Sequence, residues 1–375
     1  MKVLLLSCST GEGHNHCAAA VREELERRGA EVGFLDLLRM SGEPGPFSFD
    51  KILNRISSKT PEIFGMMYRA GATLSSTGVT SPVYLANTRY ADKLAEFIAE
   101  KAYDAVVCSH LFPMETMTDL RRHGKCSVPF YGILSDYTCI PFLAETKPDV
   151  CFLPHEDVKK ECVAAGIAPQ RLLVTGMPVS AKFCARTSKA DAREALGLPA
   201  GKKIYLIMTG GIGCGDAVAL CNTLLRIPDE NSLLCVLPGR NEELRRELQT
   251  TFPSGEVLTV PFTDKVPLYM HASDVLLSKA GGISSSEAAV AGVPLVHTMI
   301  IPGVETQNAE FFEQHGMSLF AKNAEEAARF ADRLVYDTSA AERMLLAQRR
   351  TVPPDGAEKI AEFILTAGSE AHRNG

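Results

Sequence analysis

The chain has 375 residues, 46% of them hydrophobic and 22% charged, an ordinary soluble globular composition at a length that suits two domains. Its net charge of −6 gives no reason to expect nucleic-acid binding. No apolar run approaches the roughly 18–20 residues needed to span a bilayer, so a membrane, if one is involved, is touched from one side. The 11 cysteines form no C-x-x-C pair, and no His/Asp/Glu cluster has metal spacing. No metal site or cofactor is therefore expected, and the thiols read as reduced and cytosolic.

Apolar strand-like runs alternate with amphipathic helical ones, the pattern of α/β layering. Strands are predicted at Lys2–Leu6, Glu31–Leu35, Ala105–Cys108, Phe130–Leu134, Val150–Phe152 and Leu172–Thr175, with a helix over Asn15–Arg28 stopped by Gly29. A second series follows at Lys203–Met208, Leu233–Leu237, Glu256–Val260, Asp274–Leu277, Leu295–Thr298 and Ser318–Phe320. Between the series, Ala181–Lys203 reads as a linker or as the first elements of the second domain. The expected architecture is two Rossmann-like domains facing each other across a cleft, 1–185 and 186–375. The final helix could pack back on the first domain.

Three glycine-bearing loops carry candidate chemistry. After the first strand comes Gly11-Glu12-Gly13-His14, where an imidazole at a helix start could act as a general base near neutral pH; a structural histidine is the alternative. After Met208 come Gly210, Gly211, Gly213 and Gly215, which let backbone approach a phosphate or sugar, or simply make a tight turn. After Leu277 comes Ser278-Lys279-Ala280-Gly281-Gly282-Ile283-Ser284-Ser285-Ser286-Glu287. Two glycines and a serine-rich turn there open a helix whose start would hold a diphosphate, while Glu287 could accept ribose hydroxyls. Ser284 and Glu287 also fit a Ser-x-x-Glu capping box.

Further motifs run in order along nearly the whole chain: Ser109-His110 with Phe112-Pro113, Ser135-Asp136-Tyr137, Thr175-Gly176-Met177-Pro178-Val179, Gly239-Arg240-Asn241, Phe262-Thr263-Asp264, and Pro302-Gly303 with Glu305 and Asn308. With the glycine loops, they resemble the monogalactosyldiacylglycerol synthase and processive diacylglycerol glucosyltransferase family, relatives of the peptidoglycan lipid I N-acetylglucosaminyltransferase. The resemblance implies a GT-B fold and a transfer of glucose or galactose from a UDP-sugar to a lipid hydroxyl, with inversion. It implies His14 as the base, with Gly13, His110 and Asp136 on the acceptor side. It implies a uracil-binding turn at Phe262 and Thr263, a diphosphate cradle at Gly281, Gly282, Ile283 and Ser284, a ribose ligand in Glu287 and a hexose contact in Glu305. Gly211, Gly213, Arg240, Asn241 and Asn308 complete the expected UDP-sugar site.

The chain departs from the family pattern in three places. Ala280 replaces a proline, Val304 replaces a glutamine that would bond the donor sugar, and Ile140 and Leu143 stand where many members have His and Trp. Residues 51–93 hold six basic residues (Lys51, Arg55, Lys59, Arg69, Arg89, Lys93) against Glu62 and Asp92, interleaved with apolar ones. Such a surface suits an anionic membrane, or else a solvated helical pair. The expected location is the cytoplasm, peripheral on the inner face of the cell membrane. The partners are a UDP-sugar, diacylglycerol or another lipid acceptor and no nucleic acid. The alternatives are a GT-B-type UDP-sugar epimerase or hydrolase, and a non-catalytic nucleotide-sugar or lipid-binding homologue.

Overall fold

The computed structural model describes residues 1–8, 12–41, 61–76, 81–185, 187–211, 216–226 and 231–374. Lys51, Arg55 and Lys59 of the basic segment and Gly213 of the second glycine loop lie outside the described residues. The chain forms two compact units, Met1–Ser180 with Pro354–Gly375, and Ala181–Pro353. Each is an α/β unit built on a six-stranded, wholly parallel sheet.

In the first unit the strands are β1 (Lys2–Ser7), β2 (Glu31–Asp36), β3 (Ala105–Cys108), β4 (Phe130–Ile133), β5 (Val150–Leu153) and β6 (Leu172–Val174). They lie in the order β2-β1-β3-β4-β5-β6. Val3 to Leu6 are at most 1% exposed, as near-continuous apolar runs require when helices cover both faces of a sheet. The helices are α1 (Glu12–Arg27), α2 (Pro61–Ser76), α3 (Pro82–Asn87), α4 (Ala91–Lys101), α5 (Leu111–Arg122) and α6 (Glu156–Ala164). Helix α1 starts three residues earlier than the predicted Asn15. Glu12 stands in its first turn, where a carboxylate suits the positive dipole end, so Gly13 and His14 are helical and not part of a flexible turn.

The C-terminal helix Gly356–Asn374 completes this unit. Its Ile360, Ala361 and Ile364 are 0% exposed, and burying each isoleucine stabilises the unit by about 1.5–3 kcal/mol. Phe363 meets Tyr131 and Phe152 edge-on at 5.8 and 5.5 Å. Arg28 bonds Glu358 at 2.8 Å.

One buried carboxyl sets a pH dependence. Glu115 of α5 is 0% exposed and accepts from Asn87 Nδ2 at 2.6 Å. Its Oε1 has no hydrogen-bond partner among the described residues. Burial, with a smaller push from Glu145 against the opposing Asn87 bond, raises its pKa to about 8. A carboxyl raised in the folded state contributes stability below its unfolded pKa, and that contribution is lost as pH climbs through 8. Thermal unfolding should therefore show the melting temperature of the wild type falling from about pH 5 to about pH 8 and levelling off above that. The neutral isostere in Glu115→Gln should flatten that fall, and an identical pH profile for the two proteins would contradict the argument.

In the second unit the strands are β7 (Lys203–Met208), β8 (Ser232–Leu237), β9 (Val257–Thr259), β10 (Val275–Lys279), β11 (Leu295–Met299) and β12 (Leu319–Phe320). Their order is β12-β11-β10-β7-β8-β9. The helices that matter below are α7 (Ala217–Leu224), α8 (Glu242–Thr251), α9 (Gly282–Ala291) and α10 (Val304–Gln314). The stretch from Ala181 is part of this unit. Its helix Lys189–Leu196 is capped by Ser188, and Arg193 there, 6% exposed, bonds the Ala272 carbonyl and Asp274 at 2.9 and 2.8 Å.

Candidate active site

In an open parallel sheet, ligands gather beyond the C-terminal strand ends, where the strand order reverses. In the first unit that point lies between β1 and β3, and the predicted acceptor-side residues converge there. His14, in the first turn of α1, places Nδ1 3.0 Å from the Ser109 carbonyl and 3.0 Å from Ser135 Oγ. A carbonyl can only accept, so Nδ1 carries the proton and the lone pair belongs to Nε2, the tautomer a general base needs. His110 packs edge-on against the His14 ring with centroids 4.5 Å apart. Its own Nδ1 accepts from the Phe112 amide at 3.1 Å, capping α5. Desolvation, and then the proximity of His14, pushes the His110 imidazole well below the ordinary histidine range, which keeps it neutral beside a base.

The loop after β4 closes the group. Ser135, 6% exposed, reaches Asp136 Oδ2 at 3.4 Å as well as His14. Farther along the loop, Glu161 of α6 accepts from Thr138 Oγ1 at 2.9 Å and from the Cys139 amide at 2.8 Å. Phe142 has φ +67°, uncommon for a residue with a Cβ. Its amide donates to Ser75 Oγ of α2 at 2.8 Å. The loop thus ties the His14 site to α2, one described part of the basic and apolar segment. There Tyr68 is pushed up by burial and then by Asp136, Cys139 and Glu161.

In the second unit the order reverses between β10 and β7, and glycine loops follow both strands. Gly210 has φ +78° and Gly239 has φ +65°. A Cβ on Gly239 would lie 2.3 Å from the Gly210 carbonyl oxygen, so the loops after β7 and β8 touch backbone to backbone. The Gly211 carbonyl accepts from the Arg240 amide at 2.9 Å. The Arg240 guanidinium stacks 3.9 Å over the Phe262 ring, which is 53% exposed and so presents an aromatic face with a cation beside it. Asn241 caps α8 by accepting from Leu244 N at 2.9 Å, and Thr263 Oγ1 accepts from Lys265 N at 3.1 Å.

Helix α9 begins at Gly282 with Gly281 as its cap, correcting the expectation of a serine-rich turn. Ser284, Ser285 and Ser286 are helical, so Ser284 and Glu287 are not a capping box. Ser284 Oγ and Ser286 Oγ bond back to the Gly281 and Gly282 carbonyls at 3.2 and 2.7 Å. Ser285 Oγ is 2.9 Å from Nε2 of the fully buried His297, and Ser318 Oγ is 3.2 Å from its Nδ1. The Ser285 contact pins α9 to β11, and the Ser318 contact ties the residue before β12 to the same ring. Burial holds His297 down to about 3, so this imidazole is neutral and structural. The first-turn amides of Gly282, Ile283 and Ser284 precede the helical hydrogen-bond ladder and form an anion-binding end. Glu287, 4% exposed, lies in the second turn.

Sequence reasoning gave no role to Lys279, yet it stands at the centre of this cradle. Strand pairing slips between Ser278 and Lys279, where β11 carries an extra residue, a bulge of the kind that re-aims a side chain. Lys279 Nζ lies 3.4 Å from where a Gly281 Cβ would be, and its Cε 2.9 Å from that of Gly210. The ammonium forms an ion pair with Glu305 Oε1, whose Oε2 accepts from the Ile301 amide at 2.9 Å. The available signal was a single lysine ending an apolar strand, one residue before two glycines. Buried Asn308 donates to the Ala280 carbonyl at 3.2 Å, bracing the loop from α10. Ser135 was also given no role, because its partner lies 121 positions away.

Residues 14–179 match the family described as monogalactosyldiacylglycerol (MGDG) synthase, and residues 216–351 match the glycosyltransferase family 28 C-terminal domain. The fold is that of the Acinetobacter baumannii MurG crystal structure, with a TM-score of 0.62 at 16% identity over 97% of this chain and 99% of that one. Anabaena Alr3699/HepE in complex with UDP-glucose is similar too, with a TM-score of 0.58 at 16% identity over 98% and 100% of the two chains. With these domains in tandem on this fold, the protein is a glycosyltransferase of the GT-B class. This bears out the resemblance carried by the sequence motifs, an MGDG-synthase-type domain followed by a glycosyltransferase family 28 C-terminal domain. A processive diacylglycerol beta-glucosyltransferase of Bacillus thuringiensis (strain Al Hakam) is 25% identical over 373 residues, 97% of this chain and 93% of the relative.

Proposed function

We propose that the protein transfers a hexose from a UDP-sugar to a lipid hydroxyl, with diacylglycerol as acceptor and inversion at the anomeric carbon. The observation that carries this reading is the His14 tautomer: Nδ1 is committed to the Ser109 carbonyl, which leaves the basic lone pair on Nε2. His14 Nε2 takes the acceptor proton as the acceptor oxygen forms its bond to C1. The bond from C1 to the diphosphate oxygen breaks, and its electron pair leaves with UDP. General-base assistance is worth about 10²–10⁴-fold. The developing diphosphate charge meets the α9 amides and Lys279, a fixed cationic environment that needs no rearrangement as charge builds. As Lys279 turns to phosphate, the Glu305 carboxylate becomes available to hexose hydroxyls. The B. thuringiensis relative's name supports the acceptor, and the HepE complex supports UDP-glucose as a donor type.

The protein acts from one side of the bilayer in this reading. Among the described residues no helix is long and apolar enough to cross a membrane, and α2 exposes Met66 at 58% beside exposed Arg69. UDP release should be followed with UDP-glucose, UDP-galactose and UDP-N-acetylglucosamine, with and without diacylglycerol in phosphatidylglycerol vesicles. Release that requires diacylglycerol supports the transferase, while equal release without lipid would indicate a hydrolase. Vesicle co-sedimentation should weaken as salt rises, because exposed charges are screened over roughly 8–10 Å at 0.1–0.15 M ionic strength. Salt-independent sedimentation would contradict the electrostatic part of the reading.

A further inference from the structure

We propose that Glu161 of α6 is a positioning residue for the His14 base, acting through the loop after β4 that carries Ser135. The pairing of β4 with β5 ends where Leu134 N donates to the Phe152 carbonyl at 3.0 Å, and the chain then leaves the sheet. The next residue, Ser135, places its Oγ 3.0 Å from His14 Nδ1. Three and four residues farther on, a single carboxylate oxygen catches the loop. Glu161 Oε2 accepts from Thr138 Oγ1 at 2.9 Å and from the Cys139 amide at 2.8 Å. With a carboxylate as acceptor both bonds are charge-assisted, roughly twice as strong as neutral ones. The amide belongs to no strand or helix, so the carboxylate gives it the partner that secondary structure does not.

The helix is the fixed end of this link. His155 caps α6, its Nδ1 accepting from Asp157 N at 3.2 Å, and Val158 and Cys162 are 0% exposed. The Glu161 carboxylate does not itself favour the helix. It lies in the last turn of Glu156–Ala164, where the negative end of the dipole disfavours an anion, so its contribution is to the loop. At the other end, Ser135 Oγ lies 3.4 Å from Asp136 Oδ2. To a carboxylate a hydroxyl can only donate, so toward His14 the serine acts as acceptor for the Nδ1 proton. That is the proton the Ser109 carbonyl already holds on Nδ1, and the serine adds a second direction to the ring's orientation. The consequence for activity rests on His14 as base. The placement of Ser135 by Glu161 does not.

The test follows the His14 Nδ1 proton by NMR in the full chain labelled with ¹⁵N-histidine, assigned by its loss in His14→Ala, together with turnover and UDP affinity. In Glu161→Ala that proton should exchange faster with solvent, and turnover should fall roughly 5- to 10-fold, the scale of one or two exposed charge-assisted hydrogen bonds. UDP affinity should stay unchanged. Glu161→Gln keeps an acceptor and removes the charge from the helix end, so turnover should recover to within about threefold with no drop in melting temperature. Added to Ser135→Ala, the Glu161→Ala change should cost less than about twofold, because the path to the ring is already cut. An equal cost in both backgrounds would overturn the route through Ser135. Unchanged proton exchange and turnover in Glu161→Ala would overturn the positioning altogether. If Glu161→Ala does not fold, Thr138→Val deletes one of the two bonds at nearly constant shape and carries the same comparison. A wild type without transfer activity would count against the transferase reading, while the Nδ1 proton would still decide whether Glu161 holds the loop.

Discussion

Replacing His14 by alanine should lower turnover by about 10²-fold or more and leave UDP affinity unchanged, since the base meets the acceptor proton and not the nucleotide. Its Nδ1 faces the Ser109 carbonyl and Ser135 Oγ, both within the first unit, whereas the nucleotide cradle lies in the second. Steady-state kinetics with saturating lipid and isothermal titration with UDP separate the two effects. Ser135→Ala should show a milder loss of the same kind, because the serine orients the ring while the carbonyl alone still fixes the tautomer. Activity of His14→Ala within a few-fold of wild type would remove the base from this residue, with Asp136 and His110 the next to test.

Glu287→Gln should weaken UDP binding by roughly 1.5–3 kcal/mol, on the order of 10- to 150-fold in Kd, as charge-assisted hydrogen bonds to the ribose hydroxyls become neutral ones. Because α9 starts at Gly282, Glu287 lies in its second turn and does not cap it. The substitution should therefore leave thermal stability nearly unchanged. Calorimetry with UDP and with uracil distinguishes the ribose contact from the turn at Phe262. An unchanged UDP affinity would remove Glu287 from the nucleotide site.

The sheets were legible in the sequence because parallel strands covered on both faces are nearly continuous apolar runs, such as Val3–Leu6 and Val275–Leu277, bounded by polar or glycine-bearing loops. The helix starts were less so. A glycine cap such as Gly281 has no side-chain signature, and a Ser-x-x-Glu spacing that suggests a cap falls instead inside α9, where the serines bond back to the preceding turn or to His297. The first-unit site was readable as separate motifs, but its assembly was not. His14, Ser109 and Ser135 follow three different strands, and only the β2-β1-β3-β4 order brings them together. Lys279 escaped for a similar reason, since the slip in pairing between β10 and β11 that re-aims it leaves no local pattern.

The most direct test of the central claim is the anomeric configuration of the lipid product, read by proton NMR after incubation with an α-linked UDP-hexose and diacylglycerol. Direct attack by an acceptor oxygen deprotonated by His14 requires a β-linked glycolipid, formed by the wild type and lost in His14→Ala. An α-linked product, or free hexose with the diacylglycerol unchanged, would contradict it.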